Sequence, residues 1–259
     1  MKLFSLLIAI CCALIFPSCH RPDENAEMAP VTNPCLSQTF QKRLYKVMHT
    51  AFDETTGKIN LVYQDQYFFD ANNRLDSISG GHKIRYNAAG RVDQVISSIP
   101  NAPNQVKQYF YNNGQLTKIE TNIYNPDGTL SWKLVKNFEW DAQGFVHKTW
   151  VNGSDYYTLY TRDACGNDIQ SQDFIISDNH ENRLRVATYS DTYNPEYLIG
   201  LHEIDPDYYS IYNESISEII HWDNADFLPG PIEYQYEYNT DGLPVKRMSA
   251  GHLVAYFYE

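Results

Sequence analysis

The stretch YNAAGRVDQV, from Tyr86 to Val95, decides the fold, because its opening pattern recurs along the chain. This pattern, called the turn phrase below, is an aromatic residue, Asn or Asp, two turn residues, Gly, and an apolar residue two positions later. The Asn or Asp side chain can accept hydrogen bonds from backbone N–H groups beyond it. Gly takes the left-handed conformation that closes a type I turn with a G1 bulge. Each copy therefore predicts strand, tight turn, strand.

Further copies of the turn phrase follow at uneven intervals. They begin at Phe69, Tyr111, Tyr124, Trp140, Asp163 and Tyr238. Between copies, apolar and polar residues alternate with the period of two that is typical of strands, and Trp132 and Trp140 fall on the face expected to be buried. Recurrence at short intervals predicts an all-β domain, a single curved antiparallel β-meander of hairpins. Whether this sheet stays open or closes into a partial or full barrel is left open by the pattern.

The N-terminus has the features of a bacterial lipoprotein signal peptide over residues 1–18. Lys2 is followed by an apolar run that ends before Cys19 and is too short to span a bilayer as a helix. Ser18 and Cys19 resemble a lipobox, in which the Cys thiol is lipidated, although Phe16 and Pro17 depart from the usual pattern. The alternative is an ordinary secretory signal in which Cys19 is incidental.

Residues 19–32 are polar and acidic and predict a flexible tether. This tether resembles the surface-export signal of Bacteroidetes lipoproteins, or is simply a solvated linker. The expected location is therefore the outer membrane, with a lipid anchor and a domain facing either the cell surface or the periplasm.

Residues 33–259 are expected to form one domain, a size that all-β domains commonly reach undivided. The chain carries a net charge of −12, which argues against nucleic acid as a partner, because binding to phosphates needs an excess of positive charge. Cys35 and Cys165 are the two cysteines in this domain. Outside the cytoplasm they could form one disulfide, or they could be two separately buried thiols.

The turn phrase, above all its Gly90-Arg91 step, resembles the Tyr-Asp repeats of Rhs-type wall and toxin-delivery proteins. In that family the repeats form long β-sheets that spiral around a hollow. Here the copies are few and irregular and follow a lipoprotein-type signal, so the chain is more similar to small Bacteroidetes lipoproteins of unknown function with a curved, porin-like sheet. The resemblance covers roughly Tyr63 to the C-terminus. It implies a fold and brings no catalytic residues with it.

No residue pattern identifies a reaction, a cofactor or a metal centre. The histidines are scattered, without the spacing of a zinc site. In particular, His202-Glu203 and His221-Trp222-Asp223 put neighbouring residues on opposite strand faces, which is poor geometry for a shared ligand. There is no G-x-S-x-G elbow, and with 32 acidic residues a close carboxylate pair is expected by chance. We therefore expect a protein that is not an enzyme and has no cofactor or metal.

The aromatic residues are the best candidates for a binding site, because sugars bind by stacking on aromatic rings while polar groups take their hydroxyls. An irregular insertion is predicted over about residues 194–230, where the strand period breaks, and loops often carry binding residues. It contains Trp222, Tyr208 and Tyr209, and Trp150 lies outside it. The alternative is that such rings simply fill the concave face of the sheet.

These features favour a non-catalytic envelope lipoprotein that binds a ligand at the cell surface, with a polysaccharide or other glycan as the expected ligand. The alternative is a structural or protein-interaction lipoprotein of the outer membrane that holds another envelope protein and has no small ligand. Both alternatives predict a membrane association through the lipid anchor.

Overall fold

The computed structural model describes residues 35, 42–53, 56, 58–99, 102–207, 210, 212–223, 230–249 and 251–259. Within them, 17 strands form a single antiparallel sheet that is nearly closed into a barrel, with one unsealed seam. The predicted all-β fold is thus confirmed, and the sheet is close to a barrel rather than open. The signal peptide, Cys19 and the tether lie outside the described residues.

The strands of the first half of the sheet are β1 (Leu44–Asp53), β2 (Lys58–Phe69), β3 (Leu75–Ile78), β4 (His82–Tyr86), β5 (Val92–Ser97), β6 (Asn104–Asn112), β7 (Gln115–Tyr124), β8 (Leu130–Trp140) and β9 (Val146–Val151). They are followed by β10 (Tyr156–Arg162), β11 (Asp168–Ile175), β12 (His180–Tyr193), α1 (Pro195–Leu198), α2 (Leu201–Ile204), β13 (Tyr212–Trp222), β14 (Ile232–Glu233), β15 (Gln235–Tyr238), β16 (Pro244–Ser249) and β17 (His252–Tyr258). Neither four-residue helix in this described part of the chain has the length or the apolar run needed to cross a membrane.

Pairing between the first and last strands closes the sheet. Each strand from β1 to β13 pairs with the next, β15 pairs with β16 and β16 with β17, and β17 returns to β1 with Val47 opposite Tyr256. The backbones of Arg43 and Glu259 exchange two hydrogen bonds of 3.0 Å at the end of this pair. The seam lies where the chain passes from β14, which pairs with β13, to β15, which pairs with β16.

The turn phrases adopt the predicted turns. In five copies one side-chain oxygen of the Asn or Asp accepts hydrogen bonds of 2.8–3.0 Å from the backbone N–H groups two and four residues later; these residues are Asp70, Asn87, Asp141, Asp163 and Asn239. Because the strands alternate in direction, these turns, which follow β2, β4, β8, β10 and β15, lie at one end of the sheet. We call this end the turn rim.

The inner face of the sheet holds the hydrophobic core. Buried apolar residues from β1 to β9 and from β17 face each other across the interior, among them Val47, Ile84, Tyr109 and Tyr256. One prediction about this face is wrong: Trp132 is 54% exposed. Residues 130–135 of β8 extend past the end of β9, which pairs with β8 only over Lys136–Trp140, so no neighbouring strand covers the Trp132 ring on that side.

Part of the predicted insertion lies inside the barrel. Residues 194–207, which we call the plug, contain α1 and α2, and Ile199 and Leu201 belong to the same core cluster as the strands of the wall. The hydroxyl of Tyr109 on β6 donates to the carbonyl of Ile204 at 2.8 Å. The prediction of an irregular segment over about 194–230 is therefore only partly right, because β13 occupies residues 212–222 as a regular strand.

A disulfide joins Cys35 to Cys165, which lies in the Asp163 turn. The hydroxyl of Tyr193 also donates to the Cys35 carbonyl at 2.5 Å. Cys35 is therefore held at the turn rim.

The outer face of β7 and β8 carries charged side chains that pair with one another. Lys118 and Lys133 lie 2.7 Å from the two carboxylate oxygens of Glu120, and this network holds the pKa of Glu120 below its usual value. Glu120 alternates with the buried Ile119 and Thr121 on the same strand. This part of the outer wall is consequently a polar surface, whereas the core lies on the inside.

Candidate functional site

A polar cavity of about 510 Å³ lies inside the barrel, on the side opposite the apolar core. Its walls are strands β10 to β16, and its floor is the plug. Ile232 and Tyr234 line it next to the seam. Its volume falls in the range of small-molecule sites, roughly 300–1,000 Å³.

The register of three neighbouring strands explains why polar side chains point into the cavity. Ser171 on β11 is opposite Arg185 on β12, and Arg185 is opposite Ile219 on β13. Directly opposite residues of paired strands share a face of the sheet, so all three face inward. Arg183, two positions from Arg185, also lines the cavity. The interior of this half is therefore polar where the other half is apolar.

Two of the cavity's arginines are held by carboxylates. Arg183 lies 2.8 Å from a carboxylate oxygen of Asp173. Arg185 pairs with Glu214 and lies 3.8 Å from Asp168. Charged pairs of this kind fix both partners in one geometry. They present hydrogen-bond donors and acceptors to the cavity without a large net charge.

Asp168 is a buried carboxyl group at the wall of the cavity, next to a hydrogen-bonded network. Burial raises its pKa to about 6, against the opposing effect of Arg162 and Arg185. Among the described residues its Oδ1 atom has no hydrogen-bond partner. The hydroxyl of Ser210 donates to the Tyr189 hydroxyl at 3.1 Å, and the Tyr189 hydroxyl donates to the Asp168 carbonyl at 2.8 Å.

Arg247 on β16 lies at the wall of the cavity in a different environment. No carboxylate oxygen of the described residues lies within 4.0 Å of its guanidinium nitrogens, and its Nε atom has no hydrogen-bond partner among them. The guanidinium carbon lies 5.5 Å from the centre of the Tyr234 ring. Glu196 on the plug lines the same cavity, and burial raises its pKa, while the charge of Arg247 opposes that rise.

The plug is attached to the wall below the cavity by a buried ion pair. Lys136 Nζ lies 2.6 Å from Asp207 Oδ2, and the Tyr160 hydroxyl donates to the same oxygen at 3.0 Å. Burial alone would raise the pKa of Asp207, but Lys136 and Tyr160 hold it below its usual value. The neighbouring Asp205 has a raised pKa because it is buried and because it lies beside Asp207.

The predicted site residues do not come together in the described part of the chain. Trp222 is opposite Arg183 at the end of β13, is 44% exposed, and does not line the cavity. Trp150 lies on β9, with three strands between it and β13, and Lys148 Nζ lies 5.6 Å from its ring centre. Tyr208 and Tyr209 lie outside the described residues. The role of these four residues in binding stays a prediction.

The segment His221-Trp222-Asp223, expected to have poor geometry for a shared ligand, does bring two side chains together. His180 Nε2 and His221 Nε2 lie 2.6 and 2.8 Å from the two carboxylate oxygens of Asp223, so His221 and Asp223 do contact each other at the ends of β12 and β13. Among the described residues, no group of three or more His, Cys, Asp or Glu side chains is arranged to hold a metal ion.

The residues that line the cavity were not among the site residues predicted from the sequence. The detectable signal was charge at alternate positions of β12, where Arg183 and Arg185 occupy the inward parity. A charged residue at such a position predicts either a polar interior or an ion pair, and here both are present. The contribution of the plug had no comparable signal, since its acidic residues are typical of a solvated loop.

Comparisons with known proteins support the fold. No protein-family model matches the chain, and no curated protein matches it in sequence. A porin-like protein from Bacteroides vulgatus is similar in structure, with a TM-score of 0.50, 12% identity, and coverage of 84% of this chain and 99% of that chain. At this identity the likeness shows a porin-like β-sheet and nothing further.

Two other solved structures are more distant. A porin-like protein from Bacteroides uniformis has a TM-score of 0.48 at 10% identity and covers 83% of this chain and 98% of that chain. The Tc holotoxin pore of Photorhabdus luminescens has a TM-score of 0.23 at 13% identity, and the match covers 73% of this chain and 13% of that chain.

Proposed function

We propose that the protein is a non-catalytic binding protein of the cell envelope, and that the polar cavity inside the barrel takes a small hydroxyl-rich ligand, a glycan unit. The observation that carries the proposal is the cavity itself, in which fixed donors and acceptors converge from several strands and the plug. The site is then inside the barrel, not at the aromatic platform expected around Trp222.

The chemistry of the wall favours a sugar. Sugar hydroxyls both donate and accept, and the cavity offers paired guanidinium and carboxylate groups, the hydroxyls of Ser171 and Ser217, and the amide of Asn194. Tyr234 and Tyr236 supply rings next to these groups, on which the C–H face of a sugar can stack. Asp168 Oδ1 supplies an acceptor that has no partner among the described residues.

An envelope location is proposed from two independent observations. Residues 1–18 read as a signal peptide followed by Cys19, and the fold is similar to that of a Bacteroides porin-like protein. Because Cys35 is held at the turn rim, a lipid at Cys19 would place this rim toward the membrane.

A specific observation favours the alternative, a structural or protein-interaction lipoprotein. The first seven residues of β2 are all exposed, and three of them, Ile59, Leu61 and Val62, are apolar side chains that are 54–63% exposed. Exposed apolar residues clustered on one strand are typical of a protein contact surface.

The test is binding of a panel of polysaccharides and oligosaccharides to the full-length protein in detergent, measured by affinity electrophoresis and thermal shift. The matched variants are Asp168→Asn and Tyr234→Ala in the cavity, with Trp222→Ala and Trp150→Ala outside it. Loss of binding in the first pair alone would support the cavity as the site. Loss in the second pair alone would return the site to the outer aromatic residues, and the absence of any glycan binding, together with co-purification of an envelope protein, would favour the alternative.

A further inference from the structure

Arg247 is the arginine of the cavity whose charge is least compensated. Arg183 and Arg185 each have a carboxylate within ion-pair distance, whereas no such carboxylate of the described residues lies within 4.0 Å of Arg247. A guanidinium group is always charged and has five N–H donors in a planar fork. A buried charge of this kind is usually paired, because leaving it unpaired is costly.

Two of the tyrosines that act on Arg247, Tyr236 and Tyr256, provide no negative charge at neutral pH. Tyr234, Tyr236 and Tyr256 surround it, and burial raises the pKa of Tyr236 and Tyr256 above the usual value for tyrosine, so both stay uncharged. His49 on β1 also faces Arg247, and its pKa is lowered to about 4 by burial and by the charge of Arg247, so it is neutral as well.

One acidic group, Glu196, acts on Arg247 from beyond ion-pair distance, and Asp65 acts in turn on Glu196. Glu196, from the plug, has a pKa that is raised by burial and by Asp65, against the opposing effect of Arg247. Asp65, from β2, has a pKa that is itself raised by burial, with His82 opposing the rise. Neither carboxylate lies within 4.0 Å of the guanidinium nitrogens, so the charge of Arg247 is not held in an ion pair by these residues and faces the cavity.

We propose that the cavity selects an acidic glycan unit, and that the guanidinium of Arg247 receives the sugar carboxylate. This inference rests on the proposed function and specifies its ligand. Arginine and a carboxylate form two parallel, charge-assisted hydrogen bonds, which are stronger than bonds between neutral groups and fix the orientation of the ligand. The Tyr234 ring beside Arg247 then contacts the apolar face of the sugar, and the donors and acceptors around Asp168 bind its hydroxyls.

The experiment compares D-glucuronate and D-galacturonate with D-glucose and D-galactose, using the full-length protein in detergent and saturation-transfer NMR with calorimetry. We expect each uronate to bind about tenfold or more tightly than its neutral counterpart, with a preference that weakens as ionic strength rises. Arg247→Gln should bring the uronate affinity down to that of the neutral sugar. Arg247→Lys should retain part of the preference, because the charge remains while the planar fork is lost.

Arg85→Gln is the control, since Arg85 is an exposed arginine of β4 that contacts Gln94 at 3.4 Å. It should bind all four sugars like the wild type. Equal binding of uronates and neutral sugars would overturn the acidic preference while leaving the proposed function intact. Binding of neither kind would overturn both. If Arg247→Gln does not fold, Arg247→Lys and the salt dependence of the wild type still decide the question, because a preference unaffected by either contradicts a role for the Arg247 charge.

Discussion

The hydroxyl of Tyr86, the last residue of β4, donates a hydrogen bond of 2.7 Å to the carbonyl of Leu75, the first residue of β3. These two strands are connected at the opposite end, so the bond ties together two strand ends that no turn joins. The same relationship recurs around the turn rim. It joins Tyr111 to Val92, Trp140 to Leu116, Arg162 to Val146, Tyr189 to Asp168 and Tyr258 to Pro244.

The aromatic position of the turn phrase thus has a second role beyond filling the core. In the copies that begin at Tyr86 and Trp140, the Asn or Asp that follows caps the turn to the next strand, while the aromatic side chain bonds to the strand before. Arg74, from the preceding turn, also lies over the Tyr86 ring, with its guanidinium carbon 4.2 Å from the ring centre. Successive hairpins are therefore linked by side chains as well as by the sheet.

Tyr86→Phe is expected to lower the free energy of unfolding by about 1 kcal/mol, the typical contribution of one hydrogen bond. Tyr86→Ala removes the ring as well and is expected to lower it by about 3 kcal/mol. Urea denaturation measures both. Tyr124→Phe is the control, because Tyr124 precedes a turn at the other rim and its hydroxyl has no hydrogen bond among the described residues. Equal effects of the two Phe substitutions would argue against the bond to Leu75.

Lys136→Met is expected to destabilise the fold by about 3–5 kcal/mol, because it leaves the carboxylate of Asp207 buried without its counterion. The side chain of Asp207 is only 8% exposed. Lys133→Met, on the same strand but on the outer face, removes an exposed partner of Glu120 and should change stability by less than about 1 kcal/mol. Denaturant titration of the two variants compares the inner and the outer lysine directly. Similar losses for both would contradict the placement of the plug inside the barrel.

Gly81→Ala should be much more destabilising than Gly128→Ala. Both glycines have positive φ, +93° and +84°, so both substitutions carry the backbone strain of about 1–2 kcal/mol. An added Cβ at Gly81 would also overlap the carbonyl oxygen of Ser98, whereas nothing lies within 4 Å of the corresponding position at Gly128. We expect the Gly81 variant to lose about 2–4 kcal/mol more, measured as the difference between two urea curves.

The plug is expected to weaken in acid through His202. Burial lowers the pKa of His202 to about 4, against a hydrogen bond from its ring to the Tyr197 carbonyl that opposes the shift. Because the unfolded chain takes up this proton more readily than the folded protein, the free energy of unfolding is unaffected by His202 above pH 6.5. It then decreases as the pH falls from 6.5 toward 4. The loss amounts to about 2–3 kcal/mol.

His202→Phe keeps a ring to stack on Tyr197 but cannot take up a proton. The difference in unfolding free energy between wild type and this variant should therefore decline as the pH is lowered from 7 to 4. His252→Phe, at an exposed position of β17, is the control for replacing an imidazole with a phenyl ring outside the plug. A pH-independent difference for His202→Phe would show that the imidazole is not buried as described.

Much of the fold was predictable because its signals are local. The capped turns at Asn87 and Asp141 depend on five consecutive residues, and strand alternation depends on neighbours two positions apart. The closure of the barrel depends on Val47 meeting Tyr256, about 200 residues away in the chain, and no short pattern indicates that contact. The exposure of Trp132 likewise depends on where β9 ends, not on its own strand.

The candidate site was less predictable than the fold, for a related reason. Glu196 and Asp207 occur in a segment with prolines and several acids, which is typical of a solvated loop. The burial of Asp207 is compensated by Lys136, which comes from a strand far away in sequence. Only the assembled barrel brings these charges together, so the plug and the cavity above it could not be inferred from the segment alone.

The pairing of β1 with β17 has a consequence for the order in which the barrel forms. The edge of β1 that will meet β17 has no partner until residues 252–258 have emerged, and these are almost the last residues of the chain. Pairing between distant segments is intrinsically slow, and unpaired edges invite contacts with other chains. Without β17, both β1 and β16 would keep an unpaired edge in addition to the seam between β14 and β15, so pairing of β17 removes two of the edges through which the sheet could join another chain.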